Sequence, residues 1–159
     1  MPPLKIATWK WLAVFLLAFA CSARTQTVPQ DTPGNLGGTS WQLVKFQSGD
    51  DSLLTPDDKT KYTITFAANG RVSARIDCNR GSGTWKSLGP NQLQFGPLAL
   101  TRAMCPPGSL YDRIAKDWEF VRSYMIKDDH LFLSLMADGG IYEFEPVGRS
   151  KPAPPQSGN

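Results

Sequence analysis

The amino-acid sequence predicts an α+β domain, in which an antiparallel sheet arranged as a sandwich or a barrel is accompanied by one helix. Turn signals recur about every 8 to 12 residues, as they do in domains built from short strands. Several segments between those turns alternate apolar and polar residues, which is the pattern of a half-buried strand. One later segment instead repeats its apolar residues at helical spacing. We therefore expect seven to eight strands and a single amphipathic helix.

The first 20 residues have the organisation of a signal peptide. Lys5 and Lys10 precede an apolar run over residues 11–20, which is too short to span a bilayer comfortably. Small residues, including Ala18, stand just before Cys21, as in the lipobox of a bacterial lipoprotein. We expect cleavage before Cys21 and acylation of its thiol and amino group, so that the lipid anchors the protein to a membrane. The alternative is an ordinary secretory signal, which would release a soluble secreted or periplasmic protein.

The chain on either side of the predicted domain reads as unfolded. Residues 21–38 are rich in Ser, Thr, Pro, Gln and Gly and predict a flexible tether. Residues 148–159 are rich in proline and predict a disordered tail. Ser22 stands where enterobacterial lipoproteins kept at the inner membrane have aspartate, which favours an outer-membrane anchor facing the periplasm if the organism is Gram-negative. The folded domain is predicted to span residues 39–147.

The charge balance argues against nucleic acid as a partner. The whole chain has a net charge of +3, and Lys5 and Lys10 would be lost with the signal peptide. Between Trp41 and Val147 there are 12 basic and 13 acidic residues. A nucleic-acid-binding domain usually carries a basic excess, which is missing here.

The first half of the domain is predicted to form strands separated by a loop and a hairpin. Alternating patterns predict strands at residues 41–46 and 62–66, with an acidic surface loop at residues 47–61. Asn69-Gly70 predicts a hairpin turn because both residue types tolerate positive φ. Residues 71–76 then return as the partner strand.

Glycines and later apolar patterns predict the other strands. Gly81-Ser82-Gly83 is interpreted as a turn before a short strand at residues 84–86. Residues 88–91 are interpreted as another turn, before a strand at residues 92–95. The last strands are predicted at residues 123–126, 131–135 and 141–144.

One helix is predicted to begin after Ser109 and to run to about Arg122. The segment before it, Pro-Pro-Gly, breaks the chain, and Ser109 with Asp112 forms a weak capping box. Four apolar residues then lie on one helical face: Leu110, Ile114, Trp118 and Val121. We expect this face to pack against the sheet.

Two cysteines lie within the predicted domain. In an exported protein, Cys78 and Cys105 are expected to form a structural disulfide. Closing a loop of about 28 residues would stabilise the fold by roughly 3–4 kcal/mol. A redox-active disulfide is an alternative, but the sequence has no Cys-x-x-Cys motif. In a reducing compartment both would be small buried apolar residues.

The residues that could support catalysis or metal binding do not form a recognisable site. His130, the single histidine, follows Asp128-Asp129 and is interpreted as a solvated turn residue, with no nucleophile-elbow motif in the chain. One histidine and two cysteines are too few for a zinc site. The pairs Asp50-Asp51 and Asp57-Asp58 match no calcium-binding loop. We therefore expect no enzymatic activity, no metal and no cofactor.

The motifs around the two cysteines carry a family resemblance. Residues 77–83 read Asp-Cys-Asn-Arg-Gly-Ser-Gly, and residues 98–105 read Leu-Ala-Leu-Thr-Arg-Ala-Met-Cys. With an opening Trp-x-Leu strand and a Phe-x-x-x-Gly-Arg-Val-Ser hairpin, they resemble the META domain, the family of the heat-shock protein HslJ. Three positions depart from the family pattern: Ala74 and Asp77 stand where glycine is frequent, and Trp85 where tyrosine is frequent.

The resemblance implies an antiparallel, barrel-like sheet with one helix. Members are commonly exported or lipid-anchored bacterial proteins, linked to heat shock, antibiotic tolerance and, in some parasites, virulence. The family name supplies no catalytic mechanism. We interpret Asn79 and Arg80 as residues that orient the turn through side-chain hydrogen bonds to the backbone. The four motif residues Asn79, Arg80, Thr101 and Met104 are retained as candidate binding residues.

Together these observations predict a monomeric, non-enzymatic envelope lipoprotein that binds an envelope protein or a cell-wall component and contributes to stress or antibiotic tolerance. An alternative is an envelope inhibitor of a protease or cell-wall hydrolase, with the segment between Cys78 and Cys105 as the inhibitory element. A hydrolase that uses His130 or the acidic pairs is the least favoured hypothesis.

Overall fold

The computed structural model describes residues 35–148, and its main feature is an antiparallel sheet that curls into a nearly closed barrel. Eight strands follow one another in the order β6-β5-β4-β3-β1-β10-β9-β8, while β2 pairs with β1 and β7 pairs with β5. The strands are β1 (Thr39–Ser48), β2 (Leu53–Leu54), β3 (Tyr62–Phe66), β4 (Arg71–Ile76), β5 (Asn79–Lys86), β6 (Gln94–Phe95), β7 (Ala99–Leu100), β8 (Val121–Lys127), β9 (His130–Leu135) and β10 (Gly140–Pro146).

The described residues contain a single α-helix, α1 (Tyr111–Asp117), and two 3₁₀ turns, Lys59–Lys61 and Trp118–Phe120. The predicted α+β class, with a barrel-like sheet and one helix, is therefore confirmed. Within residues 35–148, no helix has the length and apolar character needed to cross a membrane.

The barrel closes between β8 and the segment that leads into β6. The Leu93 N–H donates to the Arg122 carbonyl at 3.0 Å, and the Tyr124 N–H donates to the Asn91 carbonyl at 2.9 Å. Gln92 forms an isolated antiparallel bridge to Ser123. Strand β7 does not take part in this closure, because its one strand partner is β5.

The barrel interior is filled by apolar side chains, because alternate strand residues point inward. In β3, Tyr62, Ile64 and Phe66 are buried, while the residues between them are more exposed. The cavity that remains at the centre has a volume of about 40 Å³ and is lined almost entirely by apolar groups. Small-ligand sites are usually several times larger. The interior is therefore a packed core.

Aromatic rings form much of this core. Phe95 stacks on Trp118 with ring centroids 4.1 Å apart, and Phe66 lies 6.0 Å from Phe95. Aromatic residues that are buried or partly buried in the same core include Trp41, Tyr62, Trp85, Phe95, Trp118 and Tyr142. They pack against the sheet and do not line a separate ligand pocket.

The two ends of the barrel carry different features. At one end, called here the terminal end, the chain enters β1 and leaves β10, and the Val147 N–H bonds to the Ser40 carbonyl at 3.0 Å. The β3–β4 hairpin turn lies at this end, because Thr39 pairs with Phe66. Strand β4 runs away from it, so the β4–β5 turn at Asp77-Cys78 lies at the opposite end. We call that end the disulfide end.

Gly81-Ser82-Gly83 is not a turn, as the sequence pattern had indicated, but lies in the middle of β5 and pairs with β4. The glycines leave room for the close approach of β7 and of the two residues before it, Pro97 and Leu98. A Cβ added to Gly81 would lie 2.7 Å from a Leu100 methyl, and one added to Gly83 would lie 2.8 Å from the Pro97 carbonyl oxygen. Glycine in a strand often marks such an approach.

The helix is shorter than predicted. It ends at Asp117, a 3₁₀ turn follows, and Val121 already belongs to β8. Val121 pairs with Leu135 of β9, so long-range backbone pairing overrides the helical periodicity of the side chains. Trp118 and Val121 are nevertheless buried in the core, as the apolar face predicted. Ser109 supports the helix start, since its Oγ accepts a hydrogen bond from the Tyr111 N–H at 3.2 Å.

Two predicted turns are present, one between β3 and β4 and one between β8 and β9. Gly70 has a φ of +80°, and the Asn69 Oδ1 accepts a hydrogen bond from the Arg71 N–H. Asp128 and Asp129 both adopt left-handed conformations in the two-residue turn between β8 and β9. The predicted loop at residues 47–61 is interrupted by β2 and by one of the 3₁₀ turns.

Candidate functional site

A disulfide links Cys78 to Cys105 at the disulfide end of the barrel, with the two Cα atoms 5.5 Å apart. Cys78 belongs to the β4–β5 turn, and Cys105 ends the segment that follows β7. The bond therefore attaches this segment, residues 101–105, to the end of the sheet. We call residues 101–105 the clasp loop. The disulfide predicted from the sequence is present.

Asn79 fixes the backbone of the clasp loop. It is the first residue of β5, and its side chain is fully buried. Its Nδ2 donates to the Ala103 carbonyl at 2.9 Å, and its Oδ1 accepts from the Ala103 N–H at 2.8 Å. The same Nδ2 lies 3.4 Å from the Cys78 sulfur and 3.3 Å from the Cys105 sulfur. One buried amide thus satisfies both backbone groups of Ala103 and contacts the disulfide.

Thr101 completes this hydrogen-bond network. Its hydroxyl donates to the Asn79 Oδ1 at 2.8 Å and accepts from the Arg80 N–H at 3.0 Å. Its own N–H donates to the Arg80 carbonyl at 2.9 Å. The Tyr111 hydroxyl contacts the Thr101 carbonyl at 3.4 Å, which links the loop to α1. Asn79 and Thr101 are therefore positioning residues for the loop.

Met104 is placed differently from the other motif residues. Its side chain is 99% exposed, which is more than for any other large apolar side chain within residues 35–148. Ala103, before it, is held by Asn79, and Cys105, after it, is held by the disulfide. The backbone on both sides is fixed while the side chain remains in solvent.

Two arginines lie beside the clasp loop. The side chains of Arg80 and Arg102 are exposed, and neither forms an ion pair within residues 35–148. The expectation that the Arg80 side chain orients the turn is wrong, because Arg80 contributes through its backbone N–H and carbonyl. The Asn79 side chain does bond to backbone, but its partner is Ala103 of the clasp loop and not the β4–β5 turn.

A cleft of about 490 Å³ opens between β7, the clasp loop and α1. Its volume falls in the range of small-ligand and peptide sites. Leu98 and Leu100 form its apolar side, and Arg102 is the only charged residue in its lining. The remaining lining residues are Ala103, Met104 and Tyr111.

His130 lies away from this site, in a cluster on the outer surface. It is the first residue of β9, and its Nδ1 lies 2.7 Å from the Glu143 carboxylate. The Lys45 ammonium contacts the other Glu143 oxygen at 3.1 Å. Burial raises the pKa of Glu143, but the hydrogen bonds from Lys45 and His130 outweigh burial and hold the pKa below its ordinary value. His130 is thus a hydrogen-bond partner of Glu143 in a strand, and its interpretation as a solvated turn residue is wrong.

A partly buried ion pair was not anticipated from the sequence. Asp117 is buried at the end of α1, where its Oδ2 accepts from the Arg113 Nε at 2.6 Å and from the Tyr142 hydroxyl at 2.7 Å. The Arg113 guanidinium also lies 4.5 Å above the Phe46 ring. Burial, followed by the hydrogen bond to Asp117, raises the pKa of the Tyr142 hydroxyl. The i, i+4 spacing of Arg113 and Asp117 was the available signal, and the cluster anchors α1 to β10.

The acidic pairs of the sequence serve local turns. Asp50 accepts hydrogen bonds from the Ser52 hydroxyl and N–H, and these bonds lower the pKa of Asp50. Asp58 caps the 3₁₀ turn by accepting from the Thr60 N–H at 2.9 Å. Across residues 35–148, no group of three or more His, Cys, Asp or Glu side chains is arranged to hold a metal ion.

Fold and site together describe a small binding-type domain, a packed antiparallel barrel that carries a fixed and exposed loop beside a cleft. The chain belongs to the META domain family, whose model matches residues 34–146. No curated protein matches the chain.

Two solved structures share the fold. The NMR structure of a protein from Burkholderia xenovorans is 23% identical, with a TM-score of 0.61, over 72% of this chain and 85% of that chain. The crystal structure of a DUF4847 family protein from Bacteroides vulgatus is 17% identical, with a TM-score of 0.51, over 69% of this chain and 93% of that chain. At these identities the likeness shows the fold alone.

Proposed function

We propose that this protein is a non-enzymatic bacterial envelope lipoprotein of the HslJ type, whose META domain binds an envelope protein or a cell-wall component and contributes to stress or antibiotic tolerance. It acts as a monomer and contacts the membrane through an acylated Cys21, on the periplasmic side of the outer membrane in a Gram-negative cell. Cys21 lies outside the described residues, so this part of the proposal is supported by the lipobox pattern.

One observation carries the binding role. Met104 is held on both sides by fixed backbone, yet its side chain is 99% exposed. Because the backbone around Met104 is already ordered, binding through this residue costs little backbone entropy, which favours affinity. Methionine is also a frequent residue at adaptable binding surfaces, because its thioether is flexible and polarisable. These properties are those of an interaction anchor.

The position of the clasp loop suits a tethered domain. The chain enters the barrel at the terminal end, and the clasp loop lies at the opposite end. The predicted tether can extend only as far as Leu36, which is buried in the core, and a flexible segment of that length would reach roughly 20 Å. A domain held in this way would present the clasp loop away from the membrane that holds Cys21.

Photocrosslinking in living cells tests the binding role. A photoreactive amino acid in place of Met104 is expected to capture a specific envelope partner, identified by mass spectrometry. The matched control carries the same group in place of Leu88, which is 63% exposed and lies between β5 and β6, away from the clasp loop. Equal capture from both positions, or capture from neither, would contradict the proposal.

The proposed lipid anchor at Cys21 is tested separately. Replacing Cys21 by Ala is expected to release the protein from membranes or to block its processing, as measured by fractionation of cell extracts. The Cys78→Ala variant serves as the control, since it removes a different thiol and keeps the lipobox. Unchanged membrane retention of the Cys21→Ala variant would argue against lipidation and in favour of a protein held by other means.

An inhibitor of an envelope hydrolase is a second candidate function. Between Cys78 and Cys105, β5, β6 and β7 hold 12 residues in the sheet, and the clasp loop presents the most exposed large apolar side chain of the segment, Met104. A fixed loop with an exposed side chain suits inhibition, and mixing the purified protein with cell-wall hydrolases and proteases would test it. Loss of enzyme activity that disappears with Met104→Glu would favour this function over simple binding.

The absence of a catalytic role also belongs to the proposal. His130, the one histidine, already bonds to Glu143 on the outer surface of the sheet. If a hydrolytic activity were found and were lost on replacing His130 by Ala, the non-enzymatic proposal would be wrong.

A further inference from the structure

The proposed binding role leaves open what kind of partner segment fits the site, and the free edge of β7 bears on this question. Strand β7 pairs with β5 on one side and has no strand on the other within residues 35–148. An unpaired strand edge is a ready template for an added strand. Peptide recognition by strand addition uses such edges, with main-chain hydrogen bonds for affinity and side-chain contacts for specificity.

The register identifies which backbone groups are available. The Thr101 N–H donates to the Arg80 carbonyl, so Thr101 faces β5. Because successive residues of an antiparallel strand face opposite sides, the N–H and carbonyl of Leu100 point away from β5. No hydrogen bond from another segment of residues 35–148 reaches them. The Leu100 N–H can therefore donate one hydrogen bond to an added strand, and the Leu100 carbonyl can accept one from it.

The charges beside this edge favour an acidic partner. Arg102 is the charged residue that lines the cleft, and Arg80 is exposed on the other face of the same edge, where it lines a shallow surface with Ala99 and Leu100. Neither arginine has an acidic partner in the described part of the chain. The acidic residue Asp112 lines a separate hollow, which shares Met104 and Tyr111 with the cleft.

Resting on the proposed binding function, we infer that β7 and the adjoining cleft bind an extended, acidic segment of a protein partner. The segment pairs with Leu100 as an added strand. Its acidic side chains reach Arg80 on one face and Arg102 on the other, because alternate side chains of a strand point to opposite faces. Its apolar side chains contact Leu98 and Met104 in the cleft.

Two matched peptides test the charge of the segment with the purified full-length chain. One repeats Val-Val-Glu-Glu and the other repeats Val-Val-Lys-Lys, so that each face of the extended peptide carries both residue types. Binding is followed by fluorescence anisotropy at fixed salt. The glutamate peptide is expected to bind at least about tenfold more tightly, which corresponds to about 1.4 kcal/mol. Arg102→Glu is expected to remove that preference. Lys86→Glu, an exposed substitution at the far end of β5, is expected to keep it.

Two variants at one position test strand addition. Leu100→Pro removes the N–H that points away from β5, and Leu100→Ala removes the same apolar side chain but keeps that N–H. Proline is tolerated at an edge strand whose N–H faces solvent, so both variants are expected to fold and to form the disulfide. Binding of the glutamate peptide is expected to be about tenfold weaker in Leu100→Pro than in Leu100→Ala, the loss of one backbone hydrogen bond.

The outcomes separate this inference from the binding function on which it rests. Equal binding of the two peptides, or of the two Leu100 variants, would overturn the inference. Failure of both peptides to bind, together with a partner captured from position 104, would overturn the inference and leave the binding function in place. Self-association that Leu100→Pro abolishes would also overturn it, because the occupant would then be a second copy of this chain.

Discussion

At the scale of single residues, the motifs around Cys78 and Cys105 contain two kinds of residue. Some hold the clasp loop in place, and others are exposed to solvent by it. Asn79 and Thr101 are occupied by hydrogen bonds within the loop. Met104 and the arginine side chains face solvent. Asn79 and Thr101 therefore hold the loop in place, and a partner would meet Met104 first.

Replacing Asn79 by Ala is expected to lower the free energy of unfolding by about 2–3 kcal/mol. The substitution removes the three hydrogen bonds of the Asn79 amide, to the Ala103 N–H, the Ala103 carbonyl and the Thr101 hydroxyl, and each contributes about 1 kcal/mol. Chemical denaturation of the oxidised protein measures the change. Met104→Ala is the matched control and should change stability by less than about 0.5 kcal/mol, as surface substitutions do. Equal effects of the two substitutions would show that Asn79 does not hold the loop.

At the scale of the elements, local patterns predicted strands well where pairing partners are neighbours in sequence. Strands β3 and β4, joined by the Asn69-Gly70 turn, match their predicted limits. The turn predicted at Gly81–Gly83 is wrong, because those glycines leave room for β7, which comes from a distant part of the chain. It was also wrong at the helix end, where β9 draws Val121 into the sheet.

Gly83→Ala is expected to destabilise the fold by about 1–3 kcal/mol, because the new methyl group would lie against the Pro97 carbonyl and the backbone there must shift. Gly89→Ala is the matched control, since a Cβ at that position meets ordinary contact distances, 3.6 Å and longer. Thermal unfolding followed by circular dichroism compares the two. If both variants melt at the same temperature, the close approach of β7 does not explain the glycine.

The cluster of Lys45, His130 and Glu143 on the outer surface is expected to make the stability of the fold depend on pH. The folded state holds the pKa of Glu143 below its ordinary value, so the unfolded state binds the proton first. The resulting stability is present above the ordinary pKa of glutamate and is lost as the pH falls through the lower folded value. Glu143→Gln is therefore expected to flatten the fall in stability below about pH 5.

Denaturation midpoints between pH 3 and 7 measure this effect. The control is Glu119→Gln, which changes an exposed glutamate with no ion pair within residues 35–148. Parallel pH profiles for the wild type and Glu143→Gln would contradict the assigned role of the cluster.

At the scale of the whole molecule, the disulfide joins the β4–β5 turn to the clasp loop and so ties the sheet end to the segment that leads into α1. Removing it with Cys78→Ala and Cys105→Ala is expected to reduce stability by about 3–4 kcal/mol, from the entropy of the closed loop. Guanidinium denaturation measures the loss, and Cys21→Ala should leave stability unchanged. Two free thiols at these positions in the exported protein would contradict the structural role.

The sequence by itself determined the class of the domain, its cysteine pair and its family, because these depend on local periodicity, turn residues and short motifs. The tertiary structure alone decided how the barrel closes, that Asn79 clamps Ala103, and that Met104 stands exposed beside an unpaired strand edge. These features arise from contacts between residues more than 20 positions apart. Such contacts depend on the register of strands and the path of β7, which no local pattern in the chain encodes.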